Sequence, residues 1–176
     1  MQYHLDGFRS GSPDKKAEIE GLDHQPSDVD VLIVGCGPAG LTLASQLSAF
    51  PDITTRIVDQ KPGPLEVGQA DGIACRSMEM FEAFGFAEKV EREAYWVNET
   101  AFWRPSNGGS HIKRADRIQD VEDGLSEFPH TILNQARVHD FFLETMKNSS
   151  RQLVPDYDRQ LLTVEKTDDP DFPVTA

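Results

Sequence analysis

The chain has 176 residues, of which 38% are hydrophobic, and 17 Lys and Arg stand against 30 Asp and Glu, giving a formal net charge of −13. This balance argues against a general nucleic-acid binder, because such proteins gain affinity by neutralising phosphates with clustered basic residues. The sequence has neither the run of roughly 18 apolar residues that crosses a bilayer nor an N-terminal signal peptide. We therefore expect a globular, soluble protein of the cytoplasm.

The cysteines and histidines show no metal-binding pattern. Cys36 and Cys75 are too few for a disulfide framework and have no metal-ligand spacing, so we expect both to be reduced and packed in the interior. Four histidines also lack ligand spacing and receive no role: His4, His24, His111 and His139.

The predicted elements begin after a polar leader, residues 1–28, which contains prolines and shows no periodicity. A short β-branched run at residues 29–34 predicts a buried parallel strand. Near-helical spacing over residues 38–50 predicts a helix that stops at Pro51, and residues 55–59 predict a second strand. Together these elements form one strand-helix-strand unit.

The rest of the chain is less regular. Residues 65–75 are rich in Gly and short polar residues, and we expect chemistry there rather than scaffold. Further elements are predicted by periodicity, turn residues and caps. They are helices at 77–84 and 87–94, a strand at 97–103 returning antiparallel at 111–118, a helix at 135–148 after Asn134, and a hairpin of 161–165 with 172–175.

A glycine motif lies between the first strand and the first helix. Gly35-Cys36-Gly37-Pro38-Ala39-Gly40 matches GxGxxG in the strand-turn-helix context that this motif requires. Gly35 permits the tight turn, Gly37 lets the backbone approach a pyrophosphate, and Gly40 allows close packing of helix on strand. The helix N-terminus then offers free N–H groups to the phosphate. The motif predicts a Rossmann-like α/β fold that binds a dinucleotide.

An acidic residue follows at the distance that the motif requires. Asp59 stands 19 residues after Gly40, at the end of the second strand, where a carboxylate accepts hydrogen bonds from ribose hydroxyls. This acid favours FAD or NAD over NADP at this site, and physical argument alone does not separate the first two. Pro38 and Ala39 within the motif are common in flavoproteins, which is an association rather than a mechanism.

Several stretches resemble one family. The sequence is similar to the FAD-dependent aromatic hydroxylases of the phenol hydroxylase group in residues 1–8, 35–41, 68–76, 120–130 and 132–139. The similarity extends over essentially the whole chain, and residues 68–76 and 125–130 are more specific than the glycine motif. The resemblance implies an α/β FAD-binding domain with additional β-hairpins and helices.

The resemblance also implies an activity. Such enzymes hydroxylate a phenolic aromatic, such as 3-hydroxybenzoate, with FAD as cofactor, NADPH as co-substrate and O2. The redox step belongs to the cofactor, while the protein binds, shields and polarises. A phenol with a pKa near 10 is a poor carbon nucleophile until its proton is partly withdrawn, so a hydrogen-bond acceptor is needed there. The partners would then be small molecules, with neither nucleic acid nor membrane, and a homodimer is left open.

Five site residues follow from the resemblance, beside those of the glycine motif. Asp71 is implied at the active site near substrate and flavin, and His130 in the substrate pocket as a donor to the ring carboxylate or hydroxyl. Arg76 is implied at the FAD pyrophosphate, which its planar guanidinium suits. Gln135 is implied near the flavin, and Gln60 beside Asp59 at the cofactor.

The chain departs from the family in two respects. Complete members are several times longer, and they carry a later Asp-Gly pair and a Gly-Asp pair that hold the flavin; this sequence has no Gly-Asp dipeptide. We therefore expect the N-terminal part of a hydroxylase, residues 29–176 being part of the FAD-binding domain, without the substrate domain and the C-terminal thioredoxin-like domain. Such a fragment is expected to be inactive alone.

Other functions remain open at this point. Within the family, phenol 2-monooxygenase is the alternative, because His130 is the only residue that suggests binding of a substrate carboxylate. A noncatalytic module that binds a dinucleotide is a second alternative. An NAD-dependent dehydrogenase is disfavoured, since no third strand-helix repeat follows quickly after Asp59.

Overall fold

The computed structural model describes residues 27–176, which form two compact units. The split unit comprises residues 27–68 and Gln135–Ala176, and the central unit comprises Gln69–Asn134. Nearly all of the predicted leader lies outside the described residues. The elements, in chain order, are β1 (Val31–Val34), α1 (Pro38–Leu47), β2 (Thr55–Val58), β3 (Gly72–Ile73), α2 (Cys75–Ala83), α3 (Ala87–Glu93), β4 (Tyr95–Val97), β5 (Glu99–Pro105), β6 (Ile112–Gln119), β7 (His130–Ile132), α4 (Gln135–Lys147), β8 (Glu165–Lys166) and β9 (Val174–Thr175).

The split unit opens with the predicted strand-helix-strand arrangement. Strands β1 and β2 are parallel, with Val31 opposite Thr55 and Val34 opposite Val58. Helix α1 packs against α4, and both helices bury an apolar stripe. Leu41 is fully buried on α1, and Phe142 is 1% exposed on α4. Burial of each such side chain contributes about 1.5–3 kcal/mol, so the two helices anchor the strands from which the glycine motif projects.

Strand β1 differs from its prediction in burial. Ile33 is buried, but Leu32 is 37% and Val34 is 50% exposed. Successive side chains of a strand point to opposite faces, and among the described residues only the face that carries Ile33 is covered. The expectation of a fully buried strand is therefore wrong for residues 27–176. Helix α1 is also shorter than predicted, since regular helix ends at Leu47.

The central unit is built on three short antiparallel strands in the order β3-β7-β4. Helices α2 and α3 pack together, and buried Phe81 of α2 stacks on buried Phe86, the N-cap residue of α3, with ring centroids 4.8 Å apart. The sequence did not predict β3 or β7, because segments of two and three residues carry no periodicity. It also predicted one strand over residues 97–103, whereas the structure divides that stretch between β4, paired to β7, and β5, paired to β6.

Two hairpins are confirmed, with changed lengths. Strands β5 and β6 pair antiparallel as predicted and bend at a bulge between Phe102 and Trp103. All residues of β6 are exposed. Strands β8 and β9 pair antiparallel as predicted but comprise two residues each, which excludes residues 161–164 from the ladder. Within residues 27–176, no helix has the length and apolarity needed to cross a membrane.

Candidate dinucleotide and substrate site

The glycine turn, residues 35–40, connects β1 to α1 in the split unit. Gly35 has φ +102°, a left-handed conformation that glycine adopts without steric cost, and its N–H donates to the Val58 carbonyl at 2.7 Å. A Cβ built on Gly40 would lie 2.0 Å from the Gly35 carbonyl oxygen. The predicted reasons for glycine at both positions are therefore confirmed: one permits the turn and the other lets the helix pack onto it.

The start of α1 is open toward a ligand. Gly37 is the N-cap residue and makes no side-chain cap hydrogen bond, and Pro38 occupies the start of the helix. A Cβ built on Gly37 would have no heavy atom within 4 Å. The N–H groups of the first helical turn are orphan donors and lie at the positive end of the helix dipole. This arrangement of Gly37, Pro38, Ala39 and Gly40 can receive a pyrophosphate.

Asp59 follows β2 and reaches back to the glycine turn. Its carboxylate is buried and accepts the Cys36 N–H at 2.7 Å through Oδ2 and the Lys61 N–H at 2.9 Å through Oδ1. Each carboxylate oxygen has two lone pairs, so Asp59 retains capacity to accept from ribose hydroxyls. The sequence predicted that Asp59 accepts from a ribose. It did not predict that Asp59 also stabilises the glycine turn through the Cys36 N–H.

A later segment of the chain lies beside Asp59. The Asp59 N–H donates to the Asp156 carbonyl at 3.1 Å, and the Arg159 N–H donates to the Asp59 carbonyl at 2.9 Å. Tyr157, between them, has its pKa raised to about 12, first by burial and then by Cys36 and Asp59. This segment was not identified from the sequence, because nothing in its residue pattern links it to a strand about 100 residues earlier.

The thiol of Cys36 within the turn is chemically quiet. Cys36 and Cys75 are both free and buried, as predicted. Burial, with a further contribution from Asp59, raises the pKa of Cys36 to about 12. A thiol is nucleophilic only as thiolate, so Cys36 serves packing rather than covalent chemistry.

The other predicted cofactor residues occupy different places. Gln60 is exposed after Asp59, and Gln135 is the first residue of α4. A Cβ on Gly68 would lie 2.5 Å from Gln135 Cβ, so glycine is needed where that loop meets α4. Arg76 belongs to α2 of the central unit, where its exposed guanidinium is 2.7 Å from Glu79 Oε2. Arg76, then Ser126, holds the pKa of Glu79 below its usual range.

Of the two predicted catalytic residues, one precedes β3 and the other begins β7, and these two strands pair in the central unit. Asp71 precedes β3, and its carbonyl accepts the Leu133 N–H at 2.9 Å; its side chain is exposed. His130 begins β7, and its Nε2 lies 3.2 Å from the position of a Cβ built on Gly72. The other ring nitrogen, Nδ1, is 2.6 Å from Asp120 Oδ2. Asp120 was not singled out from the sequence, because its role depends on a hairpin that returns it to β7.

The residues of the two units suit two different kinds of ligand. The split unit offers uncapped N–H donors and a carboxylate, which suit a pyrophosphate and a ribose. The central unit offers a carboxylate and an imidazole, which suit a polar aromatic ligand. Within residues 27–176, no cluster of three or more His, Cys, Asp or Glu could hold a metal ion.

Comparisons with known proteins identify the family of this chain. A family model described as an FAD binding domain matches residues 28–169. The chain is 60% identical over an alignment of 186 residues to 3-hydroxybenzoate 4-monooxygenase of Comamonas testosteroni, covering 100% of this chain and 28% of that protein. It is 44% identical to the FAD-dependent monooxygenase terD of Aspergillus terreus, covering 85% of this chain and 25% of that protein.

Solved structures show the same fold. The flavin-dependent monooxygenase PieE, in complex with FAD and substrate, matches with a TM-score of 0.64 and 24% identity, over 79% of this chain and 25% of that one. The p-nitrophenol 4-monooxygenase PnpA of Pseudomonas putida matches with a TM-score of 0.65 and 18% identity, over 79% of this chain and 34% of that one.

The family predicted from the motifs is therefore confirmed, as is the α/β FAD-binding fold. The chain spans between a quarter and a third of the length of these two curated relatives, 25% and 28%. FAD is the cofactor of the matched family, as the sequence predicted. The chain belongs to the FAD binding domain family represented by these monooxygenases.

Proposed function

We propose that this chain is the FAD-binding part of a flavin-dependent monooxygenase that hydroxylates a phenolic aromatic such as 3-hydroxybenzoate, with NADPH as reductant. The observation that carries the proposal is the open N-terminus of α1 beside the carboxylate of Asp59. The 60% identity to 3-hydroxybenzoate 4-monooxygenase supports the substrate class. The cytoplasmic location, the homodimer and the boundary of the leader stay predictions.

The split unit would hold the ADP half of FAD. The N–H groups at the start of α1 would donate to the pyrophosphate, and Gly37 presents no Cβ that would obstruct its approach. Asp59 would accept from the ribose hydroxyls, with Gln60 beside it at the same strand end. Gln135 would contact the flavin side of the cofactor. Arg76 would add a planar pair of donors to the pyrophosphate.

The central unit would act on the substrate. FAD held here would supply the redox chemistry that transfers an oxygen atom from O2, with NADPH as reductant. The protein must hold the ring in place and draw the proton of the phenol toward an acceptor, since the neutral phenol is a poor nucleophile. Asp71 would stand close to the ring, because its neighbour Gly72 has no side chain. His130 would contact a polar substituent of the ring.

Phenol 2-monooxygenase is a second candidate function. The chain is 35% identical over 118 residues to phenol 2-monooxygenase fsqG of Aspergillus fumigatus, covering 67% of this chain and 20% of that protein. The two candidates differ in whether the substrate carries a carboxylate. Substrate-stimulated NADPH oxidation, measured on the full-length protein with 3-hydroxybenzoate and phenol in parallel, separates them. A lack of stimulation by both would leave the noncatalytic FAD-binding module.

FAD binding tests the site itself. We expect Gly37→Ala to weaken FAD binding by the 176-residue chain about tenfold or more, because the methyl group would occupy the approach of the pyrophosphate. Gly63→Ala is the matched control, since a Cβ at either position would have no heavy atom within 4 Å. Titration followed by flavin fluorescence measures both. Equal affinities of the two variants would contradict the placement of FAD on the glycine turn.

A further inference from the structure

The proton on the neutral imidazole of His130 is assigned by its partner. Nδ1 lies 2.6 Å from Asp120 Oδ2, which is hydrogen-bond distance. An ionised carboxylate only accepts, so Nδ1 must carry the hydrogen. A neutral imidazole has one N–H, and Nε2 is then left with a lone pair. In this form His130 is an acceptor toward a ligand, not a donor.

Asp120 is itself held in place. It follows the end of β6, and its N–H donates to the Asn98 carbonyl at 3.1 Å. Thr100 Oγ1 lies 3.4 Å from Oδ1, the oxygen that does not face His130. The Asp120 side chain is 18% exposed. The base of the β5–β6 hairpin thus presents a fixed, partly buried carboxylate to β7.

The opposite edge of the imidazole faces the segment that carries Asp71. His130 Nε2 is 3.2 Å from the position that a Cβ on Gly72 would occupy, so only glycine leaves that space free. The His130 side chain is 30% exposed, which leaves it accessible to a small ligand. Nε2 therefore adjoins the one residue of β3 without a side chain, next to the candidate carboxylate of Asp71.

We propose that Asp120 is a positioning residue, which holds His130 so that Nε2 accepts the proton of a phenolic hydroxyl rather than donating to a substrate carboxylate. This inference rests on the proposed function for the identity of the ligand. In the proton transfer, the phenol O–H bond breaks, its electron pair stays on oxygen, and an N–H bond forms at Nε2. The resulting imidazolium is stabilised by the Asp120 carboxylate, as in other carboxylate–histidine pairs.

The first test reads the tautomer directly. The ¹⁵N resonances of labelled histidine in the full 176-residue chain, recorded at about pH 8, distinguish a protonated from an unprotonated ring nitrogen. We expect protonated Nδ1 and unprotonated Nε2 at His130, assigned by loss of the signals in His130→Gln. A protonated Nε2 in the unmodified chain would overturn the proposal, whatever the variants do.

Variants distinguish a residue that sets the tautomer of His130 from one that only stabilises the fold. Asp120→Asn keeps the shape of the side chain but offers Nδ1 an amide donor, so the His130 proton should move to Nε2. Asp120→Glu retains the carboxylate and should restore the original tautomer. Asp116→Asn removes a carboxylate of the same hairpin that accepts the N–H of the adjacent Arg117, and it should leave His130 unchanged. An unchanged tautomer in Asp120→Asn, with native circular dichroism, contradicts the assigned role.

The second test identifies the group that Nε2 meets. The labelled chain, with FAD added, is titrated with 3-hydroxybenzoate, phenol and benzoate in parallel. We expect the first two to shift the Nε2 resonance and benzoate to leave it in place. A shift with benzoate alone, or with none of the three, overturns the assignment to a hydroxyl. Absence of FAD binding in the same samples would instead count against the proposed function and leave the tautomer result standing.

Discussion

The glycine turn of the split unit is built from backbone, whereas the His130 cluster of the central unit is built from side chains that distant segments bring together. Five of the six residues 35–40 are glycine, proline or alanine, which set the backbone conformation or leave space for a ligand. His130, by contrast, depends on Asp120 and Gly72 from two other segments. A site built from backbone is specified by a local sequence motif, and added side-chain atoms disturb it. A site built from side chains is specified by tertiary contacts.

Among the substitutions that test this difference, Gly40→Ala is expected to have the largest effect on stability and on FAD binding. Its methyl group would lie 2.0 Å from the Gly35 carbonyl oxygen, so backbone must move. We expect a loss of about 3 kcal/mol in the free energy of unfolding, near the upper end for overpacking, together with loss of FAD binding. Urea unfolding and flavin titration measure the two effects. Gly63→Ala is the control, and equal stability of both variants would show that the turn is not sterically fixed.

Asp59→Asn tests the one side chain on which the turn depends. The carboxylate accepts two backbone N–H groups, whereas an amide has one oxygen and would turn its own donor toward the other N–H. We expect a loss of about 2 kcal/mol in unfolding free energy, typical of a buried charge-assisted hydrogen bond. Asp30→Asn is the matched control, because exposed Asp30 accepts a single N–H from Thr54. A larger loss in the control would contradict the bracing role of Asp59.

The difference between a backbone site and a side-chain site also explains which features could be predicted from the sequence. The glycine turn, α1, β2 and Asp59 were predicted because the motif states both the conformation and the spacing. Strands β3 and β7 were missed, because their two or three residues form a sheet only through tertiary pairing. Asp120 was missed for the related reason that its partner His130 is reached through a hairpin. Asp71 and His130 came from family resemblance, and their roles stay predictions.

His139 makes the split unit sensitive to acid. It is 4% exposed on α4, and its Nε2 has no hydrogen-bond partner within residues 27–176. Burial, then Lys61, lowers its pKa, with Asp140 and Asp59 acting in the opposite direction. A histidine whose folded pKa lies below its unfolded value binds more protons when unfolded. It therefore lowers stability as pH falls from about 6.5, the unfolded value, toward the folded pKa.

We expect His139→Leu to flatten this part of the pH profile. The free energy of unfolding of the unmodified chain should fall between pH 7.5 and pH 5.5, and the variant should lose less over that interval. Urea unfolding at both pH values measures the difference. His111→Leu is the control, because exposed His111 in the central unit has no such burial. An equally steep profile in His139→Leu would show that other groups cause the acid sensitivity.

Arg76→Gln is expected to change stability least and to reveal function most cleanly. The Arg76 side chain is 71% exposed, and its ion pair with Glu79 joins neighbouring turns of α2. Water screens such exposed ion pairs, so they contribute little to stability, and we expect the urea midpoint of unfolding to stay unchanged. If the guanidinium contacts the pyrophosphate, FAD affinity should fall about tenfold, the loss expected for a charge-assisted hydrogen bond.

The control for Arg76→Gln comes from the same unit. Arg117 is 53% exposed and pairs with Glu99 across the β5–β6 hairpin, so Arg117→Gln removes a comparable charge and a comparable surface ion pair. We expect it to leave FAD affinity unchanged. An equal loss of affinity in both variants would mean that Arg76 acts only through net charge. A loss confined to Arg76→Gln would assign the Arg76 guanidinium to FAD binding.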